Sequence, residues 1–257
     1  MVDIAQPSRA PRVNKIAMAD PWQWLALGWQ DLWANPSISL GYGALVLALS
    51  YALTAGLFFF DTLFLVFPMA AGFMQLAPIL AIGLYEASRR REQGGEAGSI
   101  ATFIVRPRSP LQLAYFGFAL GFILMAWVYF AFFLFAIFYG IGVPPLAEFI
   151  PSLILTIKGV AFLVVGTAIG AVLAFVVFAI SAVAVPYLLD KDADAISAML
   201  LSVKAVRENF GPMMLWAWLI VVLTVSGLVV FYVGLIVVFP LIGHATWHAY
   251  RSLIAQD

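Results

Sequence analysis

The chain contains no cysteine, which removes disulfides, thiolate metal sites, iron–sulfur clusters and cysteine nucleophiles from consideration. It has two histidines, His244 and His248, so metal or haem chemistry has little to work with. Charge is equally scarce: Asp, Glu, Lys and Arg make up 10% of the chain, where soluble domains carry about 25%. Thirteen basic and thirteen acidic residues cancel, so no net field draws the molecule onto nucleic acid. Residues 1–19 lack an apolar core and carry Arg9, Arg12 and Lys15, which argues against a cleavable signal peptide. They read as a flexible tail.

What fills the chain instead is apolar: 64% of its 257 residues, with a mean hydropathy of +1.03. At about 20 residues per crossing, this length has room for up to eight membrane spans. Continuous apolar runs occupy about 37–60, 63–85, 111–139, 159–189, 212–230 and 233–250. A transmembrane β-barrel needs alternating polarity along each strand, and these runs do not alternate. Lipid offers no water to satisfy an open backbone, so they are expected as helices. The reading is all-α: residues 20–257 form one polytopic membrane domain of six spans. The third and fourth runs are longer than one crossing needs and should tilt or protrude. The fifth and sixth are short and separated only around residues 231–233. One long kinked helix, giving five spans, is the alternative there.

Charge placement orients the bundle. With six spans, both termini and the loops at 86–110 and 190–211 share one side. That side carries Arg9, Arg12, Lys15, Arg89, Arg90, Arg91, Arg106, Arg108, Lys191, Lys204, Arg207 and Arg251, whereas the other carries Lys158 alone. Twelve of thirteen is a strong positive-inside bias and puts both termini in the cytoplasm.

Three segments on that side lead through a proline into a pair of spans, so the domain reads as three helix hairpins with inner-face interfacial helices. The first, over residues 21–34, offers Asp20 as a cap, Pro21 at the first helical position and Gln23 for a capping box. Trp22, Leu25, Trp29, Leu32 and Trp33 share one face, with Gln23, Gln30 and Asp31 elsewhere, a pattern for the headgroup plane in which Trp22, Trp29 and Trp33 are the anchors. The second lead-in, SIATFIVRPRSP, is less regular. The third puts Ile196, Met199, Leu200, Val203, Val206 and Phe210 on one side and stops at Gly211–Pro212. Repeated hairpins are how many transporters are built.

Few residues offer chemistry. His244 and His248 lie one helical turn apart and could reach one metal ion together. Glu86, or Asp190, would be the third ligand, since Pro78 precedes Glu86 by the same eight residues that separate Pro240 from His248. Ala245 stands where a zincin needs glutamate, so that protease class is excluded. Interface anchoring accounts for the pair without a metal, and none is expected. Asp190, Asp192 and Asp194 open like a calcium loop, but Ala195 and Leu201 replace its glycine and bidentate glutamate. Capping of the following helix explains them better. In the second span, Pro68, Gln75 and Pro78 interrupt an apolar run, and carbonyls freed by proline plus an amide can line a solute site. Gly117–Gly121, Gly166–Gly170 and the stripe Ala48, Ala52, Gly56 match small-residue packing motifs, read here as internal. No serine–histidine, serine–lysine or phosphate-loop constellation stands out, and no cofactor is expected.

The strings PWQWLALGWQDLWANPSISLGYG, IGLYEASRR, VPYLLDKDADAISAMLLSVKAVRENFGPMMLWA and PLIGHATWHAYR resemble a bacterial family of integral membrane proteins catalogued as a domain of unknown function. Members sometimes carry the label cytochrome c oxidase subunit I. The repeated interfacial-helix-plus-hairpin plan is also similar to membrane domains attached to some glycerophosphodiester phosphodiesterases. The resemblance implies a bacterial inner-membrane location and partners among membrane lipids and subunits of a respiratory complex. Haem-copper catalytic subunits need histidines from several helices, and both of these lie on the last one, so a catalytic oxidase subunit is excluded. The expected role is a non-catalytic scaffold or accessory or assembly subunit, with a small-solute or lipid transporter as the alternative and a metal- or haem-binding protein third.

Overall fold

The computed structural model describes residues 11–60, 62, 65–94, 105, 107–140 and 146–255. Among the described residues regular structure is helical, apart from one isolated antiparallel bridge between Val13 and Ile254. Five stretches are long and apolar enough to cross a membrane: α2 (Pro36–Phe59), α3 with α4 (Val66–Leu80, Ile82–Glu92), α5 (Pro110–Tyr139), α7 with α8 (Ile157–Ser181, Ala184–Asp190) and α10 (Phe210–Val229). The last helix, α11 (Leu235–Leu253), falls short in hydropathy because its second half carries His244, His248 and Arg251. The fold is thus an all-α polytopic membrane bundle. Three shorter helices complete it: α1 (Asp20–Ala34), α6 (Leu146–Leu155) and α9 (Ala195–Glu208).

The fifth and sixth runs are separate helices. Between them Phe231 and Tyr232 take left-handed conformations, with φ of 50° and 64°, which non-glycine residues adopt only when neighbours hold them. Helix α2 provides that hold. The Tyr51 hydroxyl donates to the Phe231 carbonyl at 2.8 Å, and Thr54 Oγ1 meets the Tyr232 hydroxyl at 3.1 Å. The second and fourth runs break near the basic end of the bundle, whereas the third continues as one unbroken 30-residue helix, α5. The second breaks at Ala81, three residues after Pro78, and the fourth at Ala182–Val183, where the Val183 N–H is caught by Ser202 Oγ at 3.1 Å.

Helix α11 is the axis of the molecule, packed against α1, α2, α4, α8 and α10. Glycines permit the closest approaches. A Cβ added at Gly28 of α1 would sit 2.7 Å from the Ala245 backbone nitrogen, and one at Gly43 of α2 would collide with the Ile236 backbone. Of the small-residue motifs read from the sequence, Gly166 and Gly170 pack inside the bundle, on Leu134 and Trp127 of α5, while nothing approaches Gly121 or Gly56.

Three expectations are revised. Residues 11–19 are no free tail. The Asn14 N–H donates to the Leu253 carbonyl at 2.8 Å, the Ala255 N–H to Arg12 at 3.0 Å, and Asn209 ties Asn14 and Ile16 to the end of α9. Residues near the two termini therefore meet at one end of the bundle. Second, Asp20 starts α1 but does not cap it, since its carboxylate turns back to the Ala17 N–H at 2.8 Å. Third, the apolar stripe read on each interfacial helix is split, with Leu32 and Val206 buried and most of its other large residues exposed. In α1, Pro21, Trp24, Gly28, Asp31 and Leu32 are buried while Trp22, Trp29 and Trp33 are exposed. In α9, Ala195, Ala198, Leu201, Ser202 and Ala205 face inward while Ile196, Leu200 and Val203 are exposed. Small residues let helices approach, and the large apolar ones are left for lipid. Most of the second lead-in, 99–104 and Arg106, lies outside the described residues, as do Asp61 and the final two positions.

Candidate functional site

Two places in the bundle concentrate polar groups or space. The first is at the basic end, where α1, α2, α4 and α11 converge. Gly28 lets α1 lie against α11, and Asp31, one turn further on, then points into the junction at 6% exposure. Its Oδ2 accepts from Ser88 Oγ at 2.5 Å and contacts His248 Nε2 at 2.8 Å, while Oδ1 is paired with the Arg91 guanidinium. Ser88 Oγ also lies 2.8 Å from His244 Nδ1, and Ser39 Oγ lies 2.9 Å from His244 Nε2.

Counting protons orders this chain. An ionised carboxylate only accepts, so the single Ser88 hydroxyl proton goes to Asp31. Ser88 must then accept from His244 Nδ1–H, which leaves Nε2 to accept from the Ser39 hydroxyl. Burial by itself would raise the Asp31 carboxyl, but the hydrogen bonds from His248 and Ser88, followed by the attraction of the two imidazoles, outweigh it and hold the group below its ordinary value. The order Ser39–His244–Ser88–Asp31 is that of an activated serine with one hydroxyl inserted before the acid. Ser39 and His244 are 0% and 1% exposed, and neither lines the cavity described below. What this geometry does is fasten four helices together through fully satisfied buried polar groups.

The histidine pair therefore converges on Asp31, His248 directly and His244 through Ser88, and not on Glu86. Glu86 is buried but turned to its own helix, with Arg89 at 2.7 Å and Arg90 at 2.6 Å. Asp190 takes the Tyr250 hydroxyl at 2.8 Å, and Asp194 caps α9 through the Ser197 N–H at 2.8 Å. Among the described residues no three His, Cys, Asp or Glu side chains are grouped to hold a metal ion. Sequence reasoning passed over Asp31, Ser39, Ser88 and Arg91. A signal for Asp31 existed, since Trp24, Gly28, Asp31 and Leu32 recur at helical spacing around the smallest residue, but the tryptophan stripe masks it.

The second place is a cavity of about 670 Å³ bounded by α3, α5, α7, α10 and α11. Pro68, Gln75 and Pro78 all line it, along with Trp127, Thr224 and Phe239. Among the described residues no charged one lines it, and most of its wall is aliphatic or aromatic. Two of its donors are already spent: Trp127 Nε1 on the Pro68 carbonyl at 2.7 Å, and Thr246 on the Ile242 carbonyl at 2.7 Å. Gln75 is different. It is 5% exposed and its amide oxygen has no hydrogen-bond partner.

Long apolar helices, residues 12–14 joined to 253–255 at one end and an apolar cavity between helices define a polytopic α-helical membrane protein. Over residues 66–190, from α3 to the end of α8, the chain matches the model of a family described as predicted integral membrane protein (DUF2189). The family has no assigned function, and the resemblance drawn from the motifs is borne out over that stretch. The match takes in Pro68, Gln75, Pro78, Glu86, Ser88 and Arg91, and leaves α1, α2 and the histidine pair outside it. No curated protein and no solved structure matches the chain.

Proposed function

We propose that this protein binds a lipophilic molecule inside the membrane, as a small-solute or lipid carrier with no catalytic step of its own. The observation that carries the reading is the cavity. Its volume lies in the range of small-molecule sites, about 300–1,000 Å³, and such sites are mostly apolar with a few placed polar groups. Proline-interrupted helices lining a cavity between hairpins are a recurrent arrangement in membrane transporters. The bundle is placed in a bacterial inner membrane with its basic end in the cytoplasm, a placement supported by the twelve basic residues assigned to that side. The accessory-subunit reading draws its support from the resemblance alone.

The test is an inventory of small molecules that stay bound through mild detergent extraction, taken by mass spectrometry. A stoichiometric lipophile is expected in the native protein and its loss is expected in Ala217→Trp, which fills the cavity. A native protein that keeps its fold and carries no lipophile would sink the proposal. Recovery of fixed stoichiometric partner subunits in the same preparation would instead favour the accessory role.

A further inference from the structure

We infer that the cavity selects an uncharged lipophile bearing a hydroxyl, and that Gln75 is the residue that recognises it. The inference rests on the cavity reading above and goes on to name the ligand's chemistry.

Three observations lead there. The first is depth. Glu86, with Arg89 and Arg90, marks the headgroup end of the second span. Gln75 lies eleven residues before it across the break at Ala81, at most about 16 Å at a helical rise of 1.5 Å per residue. The hydrocarbon layer is about 30 Å thick, so Gln75 stands near its middle. The second is the unpaired amide. Hydrocarbon provides no water, and a buried carboxamide without a partner is costly there unless a ligand supplies one. Gln75 is buried, and its amide oxygen has no hydrogen-bond partner among the described residues. The third is the neighbouring backbone. Pro78 has no N–H, so the Met74 carbonyl lacks its α-helical donor, and Met74, Gln75 and Pro78 all line the cavity.

Those groups define the partner. The unpaired Gln75 amide oxygen calls for an O–H or N–H, and the Gln75 amide nitrogen in turn offers a donor. A hydroxyl answers both, since it donates one proton and accepts on two lone pairs. A charged headgroup is excluded by mid-membrane depth and by a lining whose described residues hold no counter-charge. The acyl tails of an ordinary phospholipid would fill the space and leave the amide unpaired. The ligand is thus a neutral molecule dissolved in the hydrocarbon itself, with its hydroxyl at Gln75 and its apolar body against Trp127, Trp216 and Phe239.

The experiment uses the full chain in nanodiscs and two probes of equal chain length, hexadecan-1-ol and hexadecane. Both are added at equal mole fraction in the lipid, and occupancy is read by native mass spectrometry. The native protein should take the alcohol about threefold to tenfold more tightly than the alkane, the value of one net hydrogen bond. Gln75→Leu, with Gln75→Met as a second variant of similar length, should bring the alcohol down to the alkane value and leave the alkane unweakened. Equal affinity of the native protein for both probes would overturn the hydroxyl assignment while leaving the cavity reading intact. Binding of neither probe would overturn both. An alcohol preference that survives in both variants would also overturn the assignment to Gln75.

Discussion

Asp31 shows how much one carboxylate holds in a chain with so few charges. It is the shared partner of Ser88, His248 and Arg91, and through Ser88 it orients His244 toward Ser39. Removing one partner from a buried charged network costs about 3–5 kcal/mol, because the charges left behind lose their compensation. Asp31→Ala should therefore lower the thermal unfolding midpoint in detergent strongly, and Ser39→Ala should lower it less, by about 1 kcal/mol of stability for a single hydrogen bond. Equal effects would mean the network is not centred on Asp31. The carboxyl is held below its unfolded value, so its contribution is complete above the ordinary carboxylate range and is lost as pH falls through the folded value. Native protein should lose stability more steeply than Asp31→Asn as pH falls below about 4, a difference measured by denaturation at each pH.

At the scale of helices, packing is decided by where glycine falls. Gly28 and Gly43 bring α1 and α2 onto α11 with backbone touching backbone, so nothing flexible can yield to an added methyl group. Gly43→Ala should cost about 1–3 kcal/mol of stability, whereas Gly56→Ala, facing open space on the same helix, should be neutral or slightly stabilising. Equal unfolding midpoints for the two variants would contradict this account of the crossing. The contrast also shows what sequence pattern can and cannot convey. Both glycines lie on one apolar helix, and the stripe Ala48, Ala52, Gly56 is the more regular motif, yet the contact forms at Gly43. The same holds for α1, where the tryptophans draw attention but the buried stripe is built on Gly28 and Asp31. Trp29 and Trp33 are exposed on α1, and replacing both with Asp should impair membrane integration, read as a fall in the membrane-bound fraction.

For the whole molecule, the bridge between Val13 and Ile254 puts residues near both ends of the chain together and calls for an even number of crossings. With five stretches that meet the length and hydropathy of a span, that parity makes α11 the expected sixth. Reporter fusions after residues 93, 200 and 255 should all report cytoplasm, and one near residue 146 should report the opposite side. A mixed result at the first three would refute the six-span arrangement. Composition and run length by themselves determined the all-α membrane class, the approximate spans and the basic end, because a bilayer imposes those limits on any chain this apolar. They also marked Pro68, Gln75 and Pro78, since polar or helix-breaking residues are conspicuous in a uniform run. Tertiary structure alone decided that these three border a cavity, that the histidines converge on Asp31 and not on Glu86, and that residues 11–19 are tied to the far end of the chain. Each of those outcomes depends on which faces of separate helices come together. Among helices nearly uniform in hydropathy, that choice is made by local shape and by a few hydrogen bonds between residues as far apart as Asp31 and His248.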